Sequence, residues 1–185
     1  MAGGAHSLDT MLEGPVLTTG TNTVPSFGDR ERLTVKGAAV KATFADGTPA
    51  LTERAVKQGR ILRFACFPGI CYARSGLAAG WRELISEPVH KAGVTLPVTV
   101  DRPQIEALAL HSDLGVAVTL LNWSGSVQSN VTVVVRSERE PARVVSARKG
   151  ALKGDFKAVP KGPFKFETAV KVDLADVDVL SVYGR

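Results

Sequence analysis

Two cysteines, three histidines and few aromatic residues are what this chain of 185 residues offers to site chemistry. Cys66 and Cys71 enclose only Phe-Pro-Gly-Ile, so the spacing is not Cys-x-x-Cys, and no second pair completes a zinc set. The pair reads as two buried thiols at the end of an apolar strand or as a small-loop disulfide. His6, His90 and His111 stand far apart and outside any His-x-x-x-His or Glu-His pattern; His6 reads as part of a disordered end, and the other two as surface or edge positions. No serine occupies a Gly-x-Ser-x-Gly elbow. Lys149-Gly-Ala-Leu-Lys-Gly154 has its lysine and glycines in the wrong order for a phosphate loop. No run approaches the ~20 apolar residues of a bilayer span. The first residues, Met1-Ala-Gly-Gly-Ala-His6, lack a basic stretch followed by an apolar one, so no signal peptide is expected.

What is present is glycine, proline and short apolar runs. Eighteen glycines and ten prolines favour short elements with many turns. The net charge of +5 is concentrated: Pro141 to Val172 holds eight basic residues against two acids, Asp155 and Glu167, leaving the rest about neutral. A basic patch attracts nucleic acid. This one has no interleaved aromatics, and glycine and proline break its lysine spacing, so it reads as solvated loops and an exposed strand face, with no nucleic-acid partner. Neither a membrane partner, a metal nor a cofactor is expected.

Residues 1–32 are weakly patterned and read as a poorly ordered lead-in, with Thr18 to Gly28 as loop. Residues 33–93 read as a partial α/β or α+β segment of three strands and a helix. Ala38, Val40, Ala42 and Phe44 alternate with Ala39, Lys41 and Thr43 before the turn Asp46-Gly47. A second strand runs over 50–56, Gln58-Gly59 turns, and the apolar run 61–67 reads as a buried strand that Pro68-Gly69 ends. Leu77, Trp81, Leu84, Ile85 and Val89 share one helical face over 77–92, which Pro88 could kink and Gly93 stops. Residues 94–185 read as an antiparallel β-sandwich of about seven short strands. Its clearest signal is Phe164, Phe166, Thr168, Val170, Val172 and Leu174 alternating with charged neighbours. The fold class is mainly β.

The acids read as turn or surface groups: Asp46 and Asp113 suit turns, and Asp173, Asp176 and Asp178 flank the last turn in solvent. No catalytic residue is assigned. Two residues qualify as ligand-binding candidates, Trp123 and its neighbour Asn122, at the end of a strand and the start of a Ser/Gly loop. A flat indole there can stack on a sugar ring, although core packing is the ordinary use of a tryptophan, above all for Trp81.

Two blocks carry a family resemblance. The first is Phe44-Ala-Asp-Gly-Thr-Pro-Ala-Leu-Thr-Glu-Arg-Ala-Val-Lys-Gln-Gly-Arg-Ile61, followed by Phe67-Pro-Gly-Ile-Cys-Tyr72. The second is Val118-Thr-Leu-Leu-Asn-Trp-Ser124, with Asp176-Val-Asp-Val-Leu180. Together they resemble the C-terminal part of bacterial glycoside hydrolase family 42 β-galactosidases, over residues 33–185. The resemblance implies the end of a trimerisation domain shaped like a class I glutamine amidotransferase, then the C-terminal β-sandwich. Where the family typically has Gly-Lys-Gly-Arg-Val, this chain has Lys57-Gln-Gly-Arg60. The family's catalytic glutamates belong to a (β/α)8 barrel outside this stretch, so the resemblance implies a non-catalytic, structural region of a carbohydrate-metabolising enzyme. Its partners would be the catalytic domain of a longer parent or further copies of itself. An independent carbohydrate-binding module using Trp123 is the alternative, and a small enzyme with a hidden site a third.

Overall fold

The computed structural model describes residues 13–19 and 22–185. The fold is mainly β, and every strand pair is antiparallel. The chain divides into two compact units, Met1–Ala92 and Gly93–Arg185.

The first unit is one five-stranded sheet followed by two helices, an α+β arrangement. Its strands are β1 (Glu13–Thr19), β2 (Asn22–Phe27), β3 (Ala39–Phe44), β4 (Pro49–Val56) and β5 (Gly59–Phe64), in the order β2-β1-β3-β4-β5. The stretch expected as loop is thus largely a hairpin. Its threonines and Val24 are β-branched residues that suit a pleated backbone, and Leu17 and Val24 bury against the sheet's core. His6 and the rest of the lead-in to Leu12 lie outside the described residues. The apolar run read as a buried strand from 61 to 67 is the sheet's edge: β5 stops at Phe64, and Ile61 is 57% exposed. Proline 68 does not merely end that strand. It opens helix α1 (Pro68–Arg74) at the first turn, where its missing N–H costs nothing.

Helix α2 (Ala79–Lys91) follows, with Pro88 near its end and Gly93, at φ 69°, just beyond. Only part of the expected face is packed: Trp81 is fully buried and Leu84 half-buried, while Ile85 and Val89 remain exposed. The Trp81 indole N–H donates to the Pro25 carbonyl at 2.7 Å. That bond satisfies the one polar atom a buried tryptophan carries and ties α2 to β2. Gly80 lets the helix come this close, since a Cβ there would sit 2.5 Å from Val24 Cγ1. Cys71 ties α1 to the same strand: its sulfur accepts from the Phe27 N–H at 3.4 Å and faces the Phe27 carbonyl at 3.8 Å. Both cysteines are free thiols. Burial, and secondarily the neighbouring Cys71, push the Cys66 thiol up to about 12, so it is inert as a nucleophile at neutral pH.

The second unit is a β-sandwich of nine strands, two more than the sequence pattern suggests. One sheet has the order β11-β10-β14-β8-β7 and the other β12-β13-β9-β6. The strands are β6 (Val98–Val100), β7 (Ile105–Ser112), β8 (Gly115–Asn122), β9 (Gln128–Ser137), β10 (Pro141–Ser146), β11 (Gly150–Leu152), β12 (Gly154–Ala158), β13 (Phe166–Leu174) and β14 (Val177–Gly184). The additional pair, β11 and β12, comes from the lysine-rich stretch. Val116, Val118 and Leu120 of β8 and Leu180 and Val182 of β14 meet Val131, Val133 and Val135 of β9 and Val170, Val172 and Leu174 of β13 in one interior. Period-2 alternation puts each of these on the inner face.

Asp178 departs from its expected solvated place. It is only 4% exposed and sits on the inner face of β14. Its carboxylate accepts from the Ser146 hydroxyl at 2.6 Å and from the N–H groups of Val179 and Arg148 at 2.7 and 3.3 Å. It thereby caps the turn after β10. Thr168 is the opposite case, fully buried on β13 with a hydroxyl that finds no partner among the described residues. An unmet buried hydroxyl opposes folding. Thr168→Val, which keeps the branched shape, is therefore expected to raise unfolding stability by about 1 kcal/mol, read from a urea midpoint. A lower midpoint would mean that the hydroxyl has a partner in solution.

Candidate functional site

The loop between β8 and β9 carries both sequence candidates, and the structure gives them different tasks. Asn122 is the last residue of β8. Its Nδ2 donates toward the carbonyls of Ala175, Ser126 and Leu174 at 2.6, 2.8 and 3.1 Å. Its Oδ1 accepts from the Ser124 hydroxyl at 2.7 Å and the Ser124 N–H at 3.0 Å. The donor and acceptor capacity of the amide is thus committed within the protein. Asn122 pins its own loop to the β13–β14 turn, and so positions the residue beside it.

Trp123 is that residue, and its side chain is 64% exposed. Its backbone N–H donates to the Gln104 carbonyl at 2.8 Å, and its ring Nε1–H to Glu106 Oε2 at 3.1 Å. The indole is therefore held by one edge while a flat apolar face stays open. Gln104, at φ 62°, and Glu106 were not among the sequence candidates. The signal for them was in the hairpin register. A turn at Asp113-Leu114 pairs Ile105 with Asn122 and Glu106 with Leu121, and so brings both residues to Trp123. An exposed ring with a carboxylate acceptor at its rim can stack on a sugar face and take a hydroxyl hydrogen bond.

Elsewhere in the sandwich, an open groove of about 840 Å³ is lined by Pro97, His111, Asp113, Glu138, Arg139 and Phe164 among others. The His111 ring lies nearly parallel to Phe164, with centroids 5.8 Å apart. Arg139 approaches Asp113 at 3.9 Å, and Asp113 is fully exposed. His90 is exposed on α2, and no group of three or more metal-ligating side chains forms among the described residues.

Three carboxyls have clearly displaced acidities, all downward. The Arg30 guanidinium beside Asp46, helped by Thr48, holds Asp46 far below the usual carboxylate range. Arg60 lowers Glu53, and Lys149 lowers Asp173, where the Asn130 N–H assists. A general acid for glycoside cleavage needs its proton held more tightly, not less. These three groups serve turns and strand pairs instead. Asp46 closes the turn Phe44–Thr48, accepting from the Thr48 hydroxyl at 2.6 Å and its N–H at 3.0 Å.

The comparisons with known proteins point one way. No protein-family model and no curated protein matches the sequence. Solved structures do match in fold. Gan42B, a GH42 β-galactosidase from G. stearothermophilus, superposes with TM-score 0.58 at 14% identity, over 91% of this chain and 21% of its own. For α-L-fucosidase isoenzyme 2 from Paenibacillus thiaminolyticus the values are 0.61 and 13%, over 94% and 32%. For the β-galactosidase from Bacillus circulans sp. alkalophilus they are 0.53 and 12%, over 92% and 22%. Identities this low establish a shared fold alone. This chain spans less than a third of the length of each of these glycoside hydrolases.

Folded-state acidities fix the sign of one pH effect. A carboxyl whose pKa is lower in the folded state contributes stability at pH above its unfolded value, and loses it as pH falls through the folded one. For Asp46 the contribution is present above about pH 4 and declines below it. Asp46→Asn is expected to flatten the fall of Tm with pH in this acid range and to lower Tm at neutral pH by the same contribution, which is small for an exposed pair. An unchanged acid slope in the variant would remove Asp46 from the account.

Proposed function

We propose that this chain is a non-catalytic accessory region of a glycoside hydrolase, supporting a catalytic domain carried elsewhere in a longer protein or contributing to oligomer contacts. The observation that carries this reading is the fold likeness to only 21–32% of several glycoside hydrolases. Two of them are β-galactosidases, one of family GH42, and a β-galactosidase-type parent is the narrower form of the reading, in line with the turn and strand blocks around Asp46-Gly47 and Leu121-Asn-Trp-Ser124. On this reading 33–93 would correspond to the end of a trimerisation-type domain and 94–185 to a C-terminal sandwich. The described residues support a scaffold role in a second way. The displaced carboxyls are acidified by basic neighbours, and the one carboxylate on an inner face, Asp178, is spent on backbone and hydroxyl donors.

A second reading is favoured by one specific feature, the exposed Trp123 ring held at its rim by Glu106. That geometry suits a carbohydrate-binding platform, with Asn122 as the residue that positions the loop.

Two measurements separate these readings. The purified chain is expected to release no chromophore from nitrophenyl β-galactoside or α-fucoside above the buffer rate; turnover that disappears on substituting a carboxyl of this chain would overturn the accessory reading. Calorimetric titration with galactose and galactan is expected to show no saturable binding. Saturable binding that Trp123→Ala abolishes would put the platform first.

A further inference from the structure

Sheet edges tempt other chains to pair, and most edges in this protein are visibly protected. β6 and β11 have three residues each. β2 contains Pro25, β5 carries Arg60 and Arg63, and β12 carries Asp155 and Lys157 with Lys153 just before it. β7 has none of these devices. It runs eight residues, Ile-Glu-Ala-Leu-Ala-Leu-His-Ser, without proline, lysine or arginine. Its pairing to β8 is continuous over eight residue pairs without a bulge. Among the described residues no strand or side chain pairs with its other edge.

The side chains of β7 add to this. Leu108 and Leu110 point outward and are 57% and 73% exposed. They continue into a largely apolar outer face of Ala117, Thr119 and Leu121 on β8 and Val177, Val179 and Ser181 on β14. The inward-facing Ala107 and Ala109 are only half-buried, as expected where a sheet stops short.

We propose that β7 pairs antiparallel with β7 of a second copy of this chain, joining two five-stranded sheets into one. Charge selects the occupant and the edge. β7 carries a single carboxylate, Glu106, and no lysine or arginine, so two copies meet there without strong repulsion. The basic stretch lies at the opposite edges, around β11 and β12, where identical copies would repel. Symmetry then restricts the register. A two-fold axis along the sheet normal keeps each face on its own side, so opposed residues must share a face. Centring on Ala109 places Leu108 opposite the partner's Leu110, twice, and Glu106 opposite the partner's Ser112, a hydroxyl that can donate to it. His111 then meets the small partner's Ala107, leaving its stack on Phe164 in place. Centring on Leu108 instead would press Glu106 against the partner's Leu110. This inference names one form of the oligomer contacts in the accessory reading, and the two fail separately: the dimer is read as mass, the absence of catalysis as turnover.

Sedimentation equilibrium of the full chain tests it. The mass is expected to rise with concentration from 19.6 kDa toward twice that value. Leu108→Lys with Leu110→Lys puts lysines opposite lysines at exposed positions and is expected to weaken the dimer at least about tenfold, or abolish it. Leu108→Lys with Leu110→Glu puts lysine opposite glutamate in the Ala109-centred register and is expected to restore association relative to the double lysine. Circular dichroism of each variant confirms that the sandwich persists. A chain that stays monomeric at every concentration overturns the proposal and leaves this edge to a strand of a different polypeptide. A dimer indifferent to the double lysine overturns the assignment to β7. Failure of the lysine–glutamate pair to restore it overturns the register.

Discussion

Inward-facing valines and leucines on four central strands hold the second half of this protein together, and its surface features depend on them. β8 and β14 in one sheet, and β9 and β13 in the other, present rows of apolar side chains to a common interior, with Thr168 of β13 and Asp178 of β14 as polar members of those rows. Each fully buried Val or Leu contributes roughly 1.5–3 kcal/mol by leaving water. The same row fixes register, because a slip of one residue would turn every valine outward and every charged neighbour inward. Once register is fixed, Asn122 must arrive beside the β13–β14 turn, Trp123 beside Glu106, and Asp178 beneath the end of β10.

Polar chemistry in the interior follows the same economy. Buried or half-buried polar groups close the places where strands end, not a reaction. Asp178 gathers three donors at the β10 turn, Asn122 bridges two loops, and the Trp81 indole anchors a helix to a strand carbonyl. Cys71 fills a similar place against Phe27. Each of these side chains is engaged by the fold, in keeping with the accessory role proposed above.

Much of this was legible in the sequence where the chain alternates cleanly. Phe166 to Leu174 declared its strand and its faces because one side is largely apolar and the other largely charged, while Val116 to Asn122 and Val131 to Arg136 declared strands by their β-branched and apolar runs. The hairpin at Asp46-Gly47 was legible through its turn residues. Legibility failed where local signals mislead. Ile61 to Phe67 looks buried by composition, but it borders the sheet, and burial of an apolar run depends on neighbours that composition does not contain. Pro68 ends a strand and opens a helix, two uses of one fixed φ that look alike in a sequence. β11 and β12 hid among lysines because an exposed edge strand can be as polar as a loop. Of the candidate site, Trp123 was legible, whereas Glu106 needed the β7–β8 register and the full engagement of Asn122 needed contacts across fifty residues of chain.

A sandwich held by one interior makes a graded demand on backbone stability. Residue-resolved amide hydrogen exchange on the full chain tests it most directly. The slowest amides of the sandwich are expected in β8, β9, β13 and β14, with the 123–127 loop exchanging early although its side chains are hydrogen-bonded. Rapid exchange through β9 and β13, with protection gathered instead around the Trp123 loop, would contradict the claim that the valine interior carries the fold.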